Sequence, residues 1–266
     1  MAYWITRFGS TDLSQIALKQ SDDLGADAAL LALPGGGVHD PWGSAPALLK
    51  LPYRATVDFE LVETTAAAFR TAAYALRGLV GTRALLYRSP DGGTANSESV
   101  LARLVGVTSN RDAENLLVLG FTLGFEILSS VWSGTAHTET ITLDARPKSQ
   151  DCDNDGNGIQ RAVTITVTAS GSPITAVIIE NLETGHVSRI RFASSIAVGQ
   201  SLVIDCAAMT IRNNGVNAYT TAFTLESGHS IREWLRLMPG ANTIRVTRTG
   251  GDNSSACVLT YNDGWM

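Results

Sequence analysis

Apolar and polar residues alternate along much of this chain with a period of two, the mark of strands that bury one face and wet the other. The pattern is plain after Tyr53, where Ala55, Val57, Phe59 and Leu61 alternate with Arg54, Thr56, Asp58 and Glu60. It returns in Val163, Ile165 and Val167 among threonines, in Ile190 and Phe192 among arginines, and in Ile244 and Val246 around Arg245. One segment keeps helical spacing instead: Phe69, Ala72 or Ala73, Leu76 and Leu79 or Val80 recur on one face, and Gly81 ends the run. Thr64 or Thr65 stands where an N-cap hydroxyl is needed, so the spacing predicts a helix near 65–80.

That helix needs a sheet to cover its apolar stripe. Runs at Arg83–Arg88, Ser97–Thr108 and Asn115–Leu128 supply one, with turns expected at Ser89-Pro90-Asp91-Gly92-Gly93 and Ser109-Asn110-Arg111-Asp112, so these strands read as a meander. Ahead of them, Tyr3-Trp4-Ile5 and Ile16-Ala17-Leu18 read as short extended pieces separated by polar Gly9-Ser10-Thr11-Asp12. Between Val131 and Gly158 the texture turns polar, and Asp144-Ala145-Arg146-Pro147-Lys148-Ser149 reads as a connection, with the domain boundary near residue 146. Evenly spaced strands follow at Ala162–Ala169, Ile174–Asn181, Ser188–Ser194, Ser201–Asp205, Met209–Ile211, Ala218–Leu225, Asn242–Thr249 and Ala256–Asn262, the spacing of a β-sandwich. The chain is therefore expected to be mainly β, with a strand-rich, one-helix domain over residues 1–146 and a sandwich over 147–266.

Length agrees with two domains, since 266 residues exceed one ordinary compact domain. Charged residues make up 17% of the chain, below the roughly 25% of globular proteins, which implies that partners cover part of the surface. Net charge is −5, with 11 Lys+Arg against 15 Asp+Glu through residue 146 and 9 against 10 beyond it. Arginines such as Arg70, Arg77, Arg83 and Arg88 are scattered rather than clustered, which argues against specific nucleic-acid binding by phosphate neutralisation. The opening MAYWITRFGS has no basic segment leading into an apolar run, and no stretch reaches the ~18 apolar residues of a membrane span. The chain is expected to be made in the cytoplasm and to stay soluble, out of membranes.

Candidate chemistry is sparse. Asp151, Asp153 and Asp155 occupy alternate positions ahead of Gly156, as the first half of a calcium loop requires. The position where such a loop places a bidentate Glu is Ala162, so these aspartates remain a partial match for Ca2+, set against a solvated interdomain loop. His39, His137, His186 and His229 show no HxH, HxxxH or HExxH spacing, and Cys152, Cys206 and Cys257 form no CxxC pair and read as free thiols. No GxSxG elbow, phosphate-cradling loop or dinucleotide fingerprint is present, so no enzyme activity is expected. Trp132, Trp234, Trp265, Phe223 and Tyr261 lie in or beside strand-like runs and read as buried anchors. Trp42, in the irregular loop from Pro34 to Pro46, is the candidate contact residue, for a neighbouring subunit or for a sugar ring.

A family resemblance rests on stretches in the second half: Gly199-Gln200-Ser201-Leu202-Val203-Ile204-Asp205-Cys206, then Met209-Thr210-Ile211 with Asn213-Asn214-Gly215, then Leu237-Met238-Pro239-Gly240-Ala241-Asn242-Thr243-Ile244, and the closing Tyr261-Asn262-Asp263-Gly264-Trp265. In order, spacing and C-terminal position they resemble the siphophage distal tail protein family, and the β domain with one helix fits that family's N-terminal half. The resemblance implies an N-terminal split β-barrel with one α-helix and a C-terminal galectin-like β-sandwich. It further implies a structural ring, hexameric in the family, that joins the tail tube to the tail tip or baseplate hub of the virion. Implied partners are further copies of the chain, the tail tube protein, the tip or baseplate hub protein and the tape measure protein. The alternative for a sandwich with exposed aromatics is a carbohydrate-binding module or adhesin contacting the host cell surface.

Overall fold

The computed structural model describes residues 3–13, 17–19, 54–62, 65–90, 97–111, 118–129, 131–184, 188–219 and 234–265. They fall into two compact units that divide between Ser133 and Gly134, so residues 134–146 group with the second unit. The fold is mainly β with one helix among the described residues, as the alternation predicts.

In the first unit the strands run β2 (Thr11–Asp12), β1 (Tyr3–Phe8), β5 (Arg83–Pro90), β6 (Glu98–Arg111), β7 (Val118–Ile127), β4 (Arg54–Val62) and β3 (Ala17–Lys19), each antiparallel to its neighbour. The inward phase of the alternation carries Ile5, Phe8, Val57, Leu86, Val100, Ala102, Leu104, Phe121, Leu123, Phe125 and Ile127, all buried. Phe8 and Phe125 meet with ring centroids 5.2 Å apart. Helix α1 (Ala66–Gly78) follows β4, and its N-cap is Thr65, whose Oγ1 accepts the Ala68 N–H at 3.2 Å. Ala73 and Leu76 are its buried stripe, while Arg70, Tyr74 and Arg77 are exposed. Gly81, at φ +87°, turns the chain out of the helix and donates its N–H to the Leu104 carbonyl at 2.7 Å.

The first residues of two expected turns are strand, and the rest of each, 91–93 and Asp112, lies outside the described residues. Ser109, Asn110 and Arg111 extend β6, opposite Phe121, Gly120 and Leu119, and Ser89 and Pro90 extend β5, opposite Trp4 and Tyr3. Ser, Asn and Pro favour turns locally, but here a partner strand offers a ladder, and Pro is tolerated at a strand end. Thr11 and Asp12 likewise pair back on Phe8 and Arg7 through a turn at Gly9, φ +57°.

The second unit is a two-sheet sandwich. One sheet runs β15 (Val216–Asn217), β14 (Thr210–Asn213), β13 (Ser201–Asp205), β10 (Thr164–Thr168), β17 (Ala256–Trp265) and β8 (Trp132–Thr142), the last entering from the first unit's final two residues. The other runs β12 (Ser188–Phe192), β11 (Ile174–Asn181), β16 (Thr243–Gly250) and β9 (Lys148–Asp151). Between them Val163, Ile165, Val167, Leu202, Ile204 and Leu259 meet Val177, Ile179, Ile190, Phe192, Ile244 and Val246 in a single buried cluster.

The stretch from Val131 to Gly158 supplies two strands, β8 and β9, and Asp144–Ser149, expected as an interdomain connection, runs within the second unit from the end of β8 into β9. Both lack apolar alternation for a physical reason. Within β8 only Trp132 and Ile141 are buried, and β9 pairs with β16 as the last strand of its path with no buried residue. Ala218 follows β15, and the rest of the strand expected at Ala218–Leu225 lies outside the described residues beyond Tyr219.

Candidate functional site

Two of the stretches singled out in the second half, Leu237–Ile244 and Tyr261–Trp265, are held through buried amides. Asn242 is fully buried and uses its whole carboxamide: Oδ1 accepts from the Met238 N–H (2.8 Å) and Asn181 Nδ2 (2.9 Å), and Nδ2 donates to the Met238 and Gly240 carbonyls (2.8 and 2.9 Å). Only an amide offers two donors and a two-lone-pair acceptor in this compass, which explains Asn after the Pro-Gly turn. Gly240, at φ +86°, bridges to Asn154.

Asn154 repeats the device. Its Oδ1 accepts from the Gly264 N–H at 2.8 Å and the Gly156 N–H at 3.3 Å, and its Nδ2 donates to the carbonyls of Gly158 (2.9 Å) and Met238 (3.3 Å). Around it, the Tyr261 hydroxyl donates to the Asp153 carbonyl (2.9 Å), and Gln160 Nε2 donates to the Asn262 carbonyl (2.7 Å). Asp263 Oδ1 accepts the Asp155 N–H at 2.9 Å and lies 3.0 Å from His137 Nε2, and the His137 ring stacks on Tyr261 with centroids 5.1 Å apart. Gly156 passes so near the C-terminal strand that a Cβ there would sit 1.9 Å from the Gly264 oxygen. The closing Tyr261–Trp265 stretch is therefore a clasp on residues 153–160.

This placement changes the meaning of the acidic stretch. Asp151, Asp153 and Asp155 are exposed, whereas Cys152, Asn154, Gly156 and Gly158 between them are buried, so the segment is packed rather than a fully exposed loop. Asp151 accepts from Thr243 Oγ1 at 3.3 Å across β9 and β16. Among the described residues no group of three His, Cys, Asp or Glu side chains is gathered as a metal site. Trp42, His39, His186, His229 and Phe223 lie outside the described residues. Trp132 and Trp234 are buried, as expected of anchors. Burial pushes the Cys152 and Cys206 thiols up to about 12, and raises the Cys257 thiol and the Tyr261 phenol as well. Such thiols are protonated packing groups rather than nucleophiles. Among the described residues no helix is long and apolar enough to cross a membrane.

The first unit contributes a buried ion pair and an apolar outer stripe. Arg88 Nε lies 2.6 Å from Glu98 Oε2, with the two side chains 1% and 7% exposed, and the guanidinium sits 4.1 Å above the Trp132 ring. On the outer face, Leu85 and Leu101 oppose each other across β5 and β6 at 43% and 45% exposure, with Val105 nearby on β6. Arg7 stacks over Tyr87 at 4.0 Å, and Arg103 pairs with Glu126.

Sequence reasoning missed the amide network, the ion pair and the His137–Asp263 contact. The ion pair had a signal: Arg88 and Glu98 stand in the inward phase, two residues from Leu86 and Val100, where a lone charge would be untenable. The amides had none, because their partners are backbone groups distant in sequence.

Comparison with known proteins completes the site. Residues 158–265 match the family model described as siphovirus-type tail component, C-terminal domain. No curated protein matches the chain. Among solved structures, the Dit protein of phage SPP1, described as a paradigm of the hub adsorption apparatus in phages infecting Gram-positive bacteria, superposes with a TM-score of 0.62 at 14% identity, covering 98% of this chain and 99% of that one. The baseplate of phage P2 in its activated conformation with Ca gives a TM-score of 0.39 at 10% identity, covering 98% and 91%.

Proposed function

We propose that this chain, a siphovirus-type tail component with the fold of the SPP1 Dit protein, is a ring-forming structural protein that joins the tail tube to the tail tip or baseplate hub. The observation that carries the reading is the pairing of a family match over residues 158–265 with a shared fold over 98% of the chain. In this reading the second unit is a galectin-like sandwich, and the first is a split barrel that meets its neighbours around a rotation axis in a hexamer. Ring closure repeats one heterologous interface, so each copy needs two different adhesive faces. The exposed Leu85, Leu101 and Val105 on β5 and β6 supply apolar surface for one of them. A net charge of −5 suits a ring whose lumen passes DNA and the tape measure without gripping phosphate. The role is mechanical, with the tube, hub and tape measure proteins as further partners and neither nucleotide nor metal required.

Negative-stain electron microscopy of the purified chain tests this. Closed rings with a central opening are expected, and Leu101→Glu is expected to abolish them while leaving the far-ultraviolet circular dichroism unchanged. A field of separate monomers for the unsubstituted chain at every concentration would refute the reading.

A further inference from the structure

The sandwich carries a cavity of about 410 Å3 lined by Met209, Thr210, Arg212, Gly215, Asn217 and Tyr219. Its walls follow from strand register. Ile211 of β14 is buried in the core, so Thr210 and Arg212 on either side of it face outward. Arg212 pairs with Asn217 of β15, and the Ala218 N–H bonds the Ile211 carbonyl at 2.9 Å, while Tyr219, just past β15, packs against the core cluster and also lines the cavity. A hydroxyl, a guanidinium, a carboxamide and a phenol ring therefore converge on one cavity beside one hairpin.

Two of these groups are oriented by the protein. The Tyr219 ring lies parallel to that of buried Trp234, with centroids 6.2 Å apart and an interplanar angle of 9°. Asn217 Oδ1 accepts the Tyr219 N–H at 3.0 Å, which turns the amide NH2 away from the backbone. Met209, at the rim, holds φ +52°, a conformation that residues other than glycine adopt rarely and that concentrates at binding sites.

We propose that this cavity is a saccharide-binding subsite that takes a pyranose ring. Its volume lies within the roughly 300–1,000 Å3 of small-ligand clefts. The Arg212 fork matches two adjacent hydroxyls, Asn217 and Thr210 add a donor and a donor-acceptor, and Tyr219 offers an aromatic surface to the ring's C–H face. Among the described residues no carboxylate lines the cavity, whose donors suit hydroxyls better than a cation, and a lipid would need a more apolar wall. The assignment stands on the hairpin alone and does not depend on ring assembly.

Saturation-transfer NMR on the full chain tests it, with oligosaccharides of glucose, galactose, N-acetylglucosamine and rhamnose as probes and titration of whichever binds. At least one probe is expected to show transfer. Arg212→Ala and Asn217→Ala, both at exposed positions, are expected to weaken it about tenfold or more with unchanged circular dichroism, while Thr166→Ala on β10 leaves it intact. Absence of transfer from every probe overturns the assignment, as does transfer that neither variant diminishes. Binding of glycerol phosphate without any saccharide also overturns it, because the cavity would then be an anion site.

Discussion

Replacing Asn154 with Ala tests whether the acidic stretch is a packed part of the sandwich. Asn154 is fully buried, and its carboxamide satisfies backbone groups of Gly156, Gly158, Met238 and Gly264. Alanine removes all four bonds, and Gly156 lies too close to Gly264 to leave room for water between them. Counting only the two shortest, the Gly264 N–H and the Gly158 carbonyl are left buried without their partner, each at about 1–3 kcal/mol, for a loss of about 2–6 kcal/mol. At roughly 3–5 °C per kcal/mol for a unit of this size, that lowers the melting midpoint by roughly 6–30 °C. Asn154→Asp does not rescue it, because a carboxylate cannot donate and would face the Gly158 and Met238 carbonyls. Differential scanning calorimetry with denaturant titration reads both variants. A loss under about 1 kcal/mol for Asn154→Ala would refute the clasp, since a solvated spacer tolerates that change.

Other outcomes follow from the same geometry. Glu98→Ala leaves the Arg88 charge buried and is expected to cost about 3–5 kcal/mol by denaturant titration, whereas Arg88→Met with Glu98→Leu recovers most of that loss. Gly156→Ala drives a Cβ into the Gly264 backbone and is expected to abolish soluble folded protein in expression trials. Calcium is expected to leave the melting midpoint unmoved, since among the described residues Asp151, Asp153 and Asp155 belong to no group of three His, Cys, Asp or Glu side chains that could hold a metal ion. The thiols of Cys152 and Cys206 are raised from 9.0 to about 12, so the folded state keeps protons that the unfolded state releases. Their contribution to stability is whole below pH 9.0 and declines as pH rises toward 12, and a disulfide reagent at pH 8 is expected to label them only after denaturation.

What was legible in the sequence is what period and capping encode. Thr65 and the stripe through Leu76 defined α1 almost to the residue, and the threonine-flanked Val163, Ile165 and Val167 marked β10 and its inward face. β8 and β9 were not legible, because a strand held by ladder bonds with few buried side chains shows no apolar period. The Asp151–Gly158 stretch misled for a related reason: its exposed aspartates resemble a calcium loop, while the deciding Asn154 binds backbone groups up to 110 residues away. The cavity on β14 and β15 was invisible as a site, since Thr210, Arg212, Asn217 and Tyr219 converge only once the hairpin register brings them together.

The most direct test of the central claim is the mass of the purified chain in solution, followed by light scattering over a wide concentration range. The account predicts a closed assembly of six times the 28.2 kDa chain, unchanged by added calcium. A mass that stays at one chain throughout, or that climbs without limit as an open filament does, would contradict it.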